Sequence, residues 1–162
     1  MRLLRLRKTI VEINAVEAPF AKQRCNDMIG GNRLSDTNEF FITKKAIESL
    51  TEKLGLPDLD QYSQDWEYEI ANSSRVNEFV SFYESADLNQ SEKFALMSLI
   101  ISSFDDAVTE GKIQDGIWEK IKGHLISDID LHRKTILYWS LVEEEVDDCF
   151  SSTPFIREII LD

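Results

Sequence analysis

Apolar residues recur at helical spacing along most of the chain. Ile47, Leu50 and Leu54 fall on one face, Thr43 stands where a cap is needed, and Gly55 followed by Pro57 marks a stop, so a helix is predicted between them. Residues 58–73 read as a loop carrying a short helix around Trp66 and Ile70, and Val76 to Tyr83 as a further helix ending near Ala86. Asn89 and Glu92 have the spacing of a capping box, which opens a helix over Ser91–Thr109 that Gly111 stops. With a turn of about 100° per residue, Phe94, Leu96, Met97, Leu99, Ile100, Ile101, Phe104 and Val108 cover almost its whole circumference. Only a strip through Ser98, Ser102 and Asp105, with Asp106 at its margin, is polar. A helix apolar nearly all round is a buried one, and it needs neighbours on several sides.

Two more helices follow, one through Ile117, Trp118, Ile121 and Leu125, the other capped near Asp130 with Leu131, Tyr138, Trp139, Val142 and Val146 on one face. Thr153-Pro154 then reads as a cap with proline at the first helical position, opening a short helix that reaches Leu161. The N-terminal part is less regular. Leu3 to Val16 fits a strand or a helix, a helix restarts at Pro19, runs through Cys25 and Met28 and stops at Gly30-Gly31, and Phe40-Phe41-Ile42 could pair as an edge strand. The expected fold is mainly α: one domain over residues 1–162, an irregular helical bundle around the buried helix at about 91–109, with a small β element at Leu4–Ile13 and Phe40–Ile42.

Composition narrows the class. With only 6 Gly and 3 Pro in 162 residues, few turns are marked, which suits helices on short connections. The net charge of −12 argues against nucleic acid or an anionic membrane as partner, and favours a basic protein, a cation or plain solubility. That charge is uneven. Residues 1–35 carry seven basic groups against three acidic ones, +4, so residues 36–162 form an acidic helical body of −16. Cys25 and Cys149 form no metal-spaced motif, and a single disulfide between them is left open. The basic start lacks the unbroken apolar run of a signal peptide, and the stretch Phe94 to Phe104 falls short of the roughly 18 residues a membrane span needs. A cytoplasmic location is expected.

Candidate chemistry is sparse. His124 and His132 flank a loop, with Asp105, Asp106, Asp128 and Asp130 within possible reach, and two imidazoles with carboxylates can hold a divalent metal. No HExxH or ExxH spacing fixes such ligands on one face, so solvated or capping roles are the expectation for both histidines. Asp105 could be a perturbed carboxylate bonded within the Ser98/Ser102 strip; the plainer expectation is a solvent-facing seam, or serines bonding helix carbonyls. Cys25, beside Lys22 and Arg24, has no histidine near it in sequence. With no GxSxG, phosphate-binding glycine loop or Rossmann fingerprint, neither catalysis nor a cofactor is expected.

Acidic clusters are the stronger signal. If the helix through Tyr138 and Trp139 continued to Asp148, Glu143/Asp147 and Glu144/Asp148 would be like-charge pairs four residues apart, each costing roughly 0.2–0.5 kcal/mol, at a helix end that disfavours negative charge. Residues 58–69 mix five acids with the aromatics Tyr62, Trp66 and Tyr68. Aromatic anchors in an acidic field suit a surface that meets a basic protein. The expected partner-binding residues are therefore Glu143, Glu144, Asp147 and Asp148, with Asp58, Asp60, Asp65 and Glu67.

The C-terminal half carries Ser102-Ser103-Phe104-Asp105-Asp106, Trp118, Ile136-Leu137-Tyr138-Trp139-Ser140 and Thr153-Pro154-Phe155-Ile156-Arg157-Glu158-Ile159. In these features it resembles the immunity proteins of bacterial contact-dependent growth inhibition systems. The resemblance implies a non-catalytic inhibitor that binds a toxin domain, expected to be of nuclease type, and occludes its active-site groove. A helical adaptor or regulatory subunit is the alternative, and a metal-dependent enzyme using Asp105, Asp106 and a histidine is the third. Oligomeric state is left open.

Overall fold

The computed structural model describes residues 40–58 and 65–161, all within one compact unit, Leu34–Asp162. The elements expected between Leu3 and Gly31 lie outside the described residues. The fold is mainly α, an irregular helical bundle. Helix α1 (Lys44–Leu54) opens at Thr43, whose hydroxyl accepts from the Ala46 amide at 3.2 Å, and closes at Gly55 in the left-handed region at φ 57°. A four-residue helix α2 (Trp66–Glu69) buries Trp66, and a 3-10 turn at Ser73–Arg75 leads into α3 (Val76–Ser85).

Helix α4 (Gln90–Glu110) is the centre. The expected capping box is complete: the Asn89 side chain accepts from the Glu92 amide at 3.0 Å, and the Glu92 carboxylate accepts from the Asn89 amide at 2.9 Å. Leu96, Met97, Leu99, Ile100, Ile101 and Phe104 are all at most 1% exposed, because α1, α2, the 3-10 turn, α3 and α6 (below) pack around them. Ser98 and Ser102 are buried too, so the polar strip is no solvent-facing seam; Ser98 instead bonds the Phe94 carbonyl, as a serine inside a helix can.

Helix α5 (Ile117–Ser127) buries Ile117, Trp118, Ile121 and Leu125. The chain breaks at Asp128 and resumes as α6 (Ile129–Ser140), which packs on α5 and on α7 (Thr153–Leu161). Phe104, Trp118 and Phe155 stack within 5.3–5.7 Å and join α4, α5 and α7. Thr153 is already helical. The amides of Phe155 and Ile156 bond the Ser152 carbonyl, so the cap lies one residue earlier than the sequence suggests.

Two expectations need correction. Phe40-Phe41-Ile42 is not a strand, and no strand occurs among the described residues. The segment leads straight into the Thr43 cap with Phe40 lying 6.2 Å from the Phe94 ring, so side-chain packing on a helix, not pairing, holds it. The second correction concerns the acids. Helix α6 ends at Ser140, and Leu141 takes the left-handed conformation at φ 39°, the one non-glycine with positive φ among the described residues. Glu143 to Asp148 therefore lie in a loop closed by a 3-10 turn at Val146–Asp148. The like-charge pairs that a longer helix would impose are avoided by ending the helix before them.

Candidate interaction surface

Helix α7 shapes the acidic loop through one side chain. Arg157 donates from Nε to the Ser140 carbonyl at 2.8 Å, and from Nη2 to the carbonyls of Leu141 and Glu144, the latter at 2.8 Å. A cation thus takes the Ser140 carbonyl at the end of α6 and two carbonyls of the loop beyond it, at the pole where the helix dipole favours positive charge. Inside the loop the Glu144 amide bonds the Leu141 carbonyl at 2.9 Å and the Asp148 amide bonds the Glu145 carbonyl at 3.0 Å. The buried Cys149 thiol donates to the Glu145 carbonyl at 3.1 Å. Burial raises its pKa, with the Arg157 charge pulling the other way, so it stays a protonated packing group. Arg157→Lys is expected to cost roughly 1–2 kcal/mol, since an ammonium cannot span three carbonyls in one plane. Hydrogen exchange should then speed up at the Glu144, Asp148 and Cys149 amides while α1 and α4 keep their protection.

Glu143, Glu145, Asp147 and Asp148 are exposed, as is Val146 between them at 55%. None of these four carboxylates forms an ion pair among the described residues. Elsewhere on the body several acids are matched, Glu92 with Lys53, Glu78 with Arg75, Glu84 with Lys120, Asp128 with Lys93 and Asp130 with Arg133, while Glu52, Asp87, Asp115 and Glu119 are single exposed acids with no ion pair among the described residues. Glu92, almost fully buried, is held down at a pKa of about 2, first by its bond from Lys53 and then by one from Ser49.

The second acidic segment meets the same end of the molecule. Tyr68 of α2 donates to the Tyr138 hydroxyl at 2.9 Å, and its ring lies 5.7 Å from Trp139. Phe150, just after the acidic loop, sits 4.4 Å from Trp139 and 5.8 Å from Tyr138. Asp65 and Glu67 are thereby carried to the aromatic cluster on which the loop ends, Asp65 exposed and Glu67 half-buried. Asp58 is exposed beyond the end of α1 and shares none of these aromatic contacts; Asp60 lies outside the described residues.

One of the two histidines departs from the expectation. His132 is fully buried, neither solvated nor capping. Its Nε2 lies 2.9 Å from the Tyr83 hydroxyl, which in turn lies 3.0 Å from Asp128. An ionised carboxylate can only accept, so Tyr83 donates to Asp128 and His132 must donate Nε2–H to Tyr83, leaving Nδ1 a bare acceptor. That Nδ1 is buried without a hydrogen-bond partner. A second proton there would find no acceptor, and burial pulls the pKa down to about 4, against the opposing Asp128 charge. Despite its own partial burial, Asp128 is held below the usual carboxylate range by the bonds from Tyr83 and Lys93. His124, by contrast, is partly exposed on the last turn of α5 and meets Glu84 at 3.2 Å.

Asp105 accepts from the Ser152 amide at 2.7 Å and so fastens the start of α7 to α4. It does not converge on the histidines: His132 stacks on Phe94, eleven residues and about 16 Å away along α4. No group of three or more His, Cys, Asp or Glu among the described residues is arranged to hold a metal ion. Nor is any described helix long and apolar enough to cross a membrane.

Sequence reasoning missed Arg157 and the Tyr83–Asp128–His132 chain. A lone cation in the apolar run Phe155-Ile156-Arg157-Glu158-Ile159-Ile160 was a usable signal for the first. Nothing local marks the second, whose members lie up to 49 residues apart. Compared with known proteins, the chain matches no family model, no curated protein and no solved structure.

Proposed function

We propose that the protein is a non-catalytic, cytoplasmic binding protein that neutralises a basic protein, in the manner of an immunity protein that blocks a nuclease-type toxin. The observation that carries this reading is the density of exposed, unmatched carboxylates on one loop. Some acids on the helical body are matched to lysines and arginines and others are not, but only Glu143, Glu145, Asp147 and Asp148 gather four exposed, unmatched carboxylates within six residues of the described chain, on a loop whose backbone is fixed. Carboxylates held in place and not neutralised attract a cationic surface over roughly a Debye length and give up no partner on binding. Occlusion follows if they occupy the groove where the toxin holds phosphates, since they present the same charge.

The test mixes the protein with the C-terminal domain of any effector that the adjacent reading frame encodes, and a neighbour of another kind would itself count against the reading. A 1:1 complex is expected, with an association rate that falls as salt rises. Glu143→Lys combined with Asp147→Lys should slow association roughly tenfold or more at low salt while leaving the free protein folded, because both positions are exposed. Stopped-flow mixing measures this. An unchanged rate with a folded variant would reject the loop as the interface, and absence of a complex with a basic domain would reject the function.

A further inference from the structure

We propose that the break between α5 and α6 is an acid-operated latch: protonation of His132 releases the first turn of α6 from α3 and α4 while the rest of the bundle stays closed.

Asp128 is the pivot of this break. Its carbonyl accepts from the Leu131 and His132 amides, each at 3.0 Å, which starts α6, and its own amide bonds the His124 carbonyl at 3.0 Å, which ends α5. Its carboxylate reaches sideways, accepting from the Tyr83 hydroxyl of α3 at 3.0 Å and from Lys93 Nζ of α4 at 3.3 Å. His132, one turn on, completes the joint, with Nε2 2.9 Å from the same hydroxyl and its ring stacked on Phe94 of α4. One phenol thus ties both Asp128 and His132 to α3. The outer side of the break has little apolar cover: Ile126 is 48% exposed, and Ser127 and Asp130 are exposed beside it. Such a segment can open without the rest of the fold.

The latch closes only around a neutral ring. Burial keeps the Tyr83 phenol protonated, and its one proton goes to Asp128, so it can only accept from His132. Nδ1 of His132 is left buried with no acceptor for a second proton. The groups facing the ring from neighbouring elements give such a proton little help. Lys93 on α4 and His124 on α5 oppose a positive charge there, and Asp128 alone favours one, through a carboxylate already shared between Tyr83 and Lys93. An imidazolium at this position is relieved by turning out to water. The ring lies one turn from the break, so the shortest route unwinds only the residues between Asp128 and His132.

Hydrogen exchange of the full chain, corrected for the intrinsic effect of pH, tests the latch. Between pH 7 and pH 4.5 the Leu131 and His132 amides should lose roughly fiftyfold in protection, the ratio set by an imidazole that titrates at about 4 when closed and 6.5 when open. Their exchange should not respond to about 1 M urea, as suits a small opening; the Leu99 and Ile100 amides, which need global unfolding, should stay better protected and speed up with urea. His132→Gln, whose amide donates to Tyr83 but takes no proton, should hold the loss at Leu131 below about twofold. His132→Leu should do the same, and serves if the glutamine variant does not fold. Unchanged protection at Leu131 in the wild type, a urea response there equal to that of α4, or a fiftyfold loss that persists in a folded variant would overturn the latch.

Discussion

Leu99→Ala or Ile100→Ala is expected to lower the free energy of unfolding by roughly 2–5 kcal/mol, measured by urea denaturation at neutral pH. Leu99 is 0% and Ile100 1% exposed on α4, the helix against which α1, α2, α3 and α6 all pack, so a cavity left there has no flexible surface to close it. Leu161→Ala is the control. That residue is 68% exposed, and its loss should change stability by no more than about 0.5 kcal/mol. Losses below about 1 kcal/mol at both core positions would show that α4 is not the centre of the bundle.

Acid should unfold the protein in two stages. His132 is favoured in its neutral form by the fold, since its pKa falls from the ordinary 6.5 to about 4. Above pH 6.5 the imidazole is neutral in both states and costs nothing. Between 6.5 and 4 the unfolded chain takes up a proton that the folded one refuses, and stability drops by about 1.4 kcal/mol per pH unit, some 3 kcal/mol in all. Below that, Glu92 takes over. Its carboxylate is stabilised by Lys53 and Ser49, so its contribution, intact above the ordinary 4.5, is lost as pH falls towards about 2. Denaturation at pH 7, 6, 5 and 4, together with an NMR titration of His132, measures the first stage. His132→Gln should flatten that arm whatever it does to stability at pH 7. A His132 midpoint near 6.5, with flat stability from pH 5 to 7, would show that the chain through Tyr83 does not keep the ring neutral.

The parts of the fold legible in the sequence are those set by local chemistry. Thr43, Asn89 with Glu92, Gly55 and Gly111 place the ends of α1 and α4 because a cap is a contact between near neighbours in the chain. The near-complete apolar circumference of α4 announced its burial for the same reason. Where tertiary contacts decide, the reading failed. Phe40 to Ile42 has the composition of a strand, yet a strand is made by a partner, and here the neighbour is Phe94 on a helix. Helical periodicity carried through Val142 and Val146, but a cation seventeen residues beyond Ser140 grips the end of α6 and the helix stops. The repulsion read from Glu143 to Asp148 was physically sound; it is a reason for the helix to end, and the function it hinted at rests instead on the charges left unmatched in the loop. Of the candidate residues, Glu143, Asp147 and Asp148 are presented openly, Glu144 gives its carbonyl to Arg157, and Asp65 and Glu67 reach the same end through aromatic contacts that sequence spacing cannot show.

Arg157 holds the loop at positions 140, 141 and 144 by main-chain oxygens, which every residue type supplies, and its one side-chain bond there goes to the Cys149 Sγ. What hangs from positions 143, 145, 146 and 147 is therefore nearly irrelevant to how the loop is drawn, and the frame does not notice when the letters on it are rewritten. Side chains at those positions can be exchanged one at a time, changing what the loop presents without first rebuilding the scaffold.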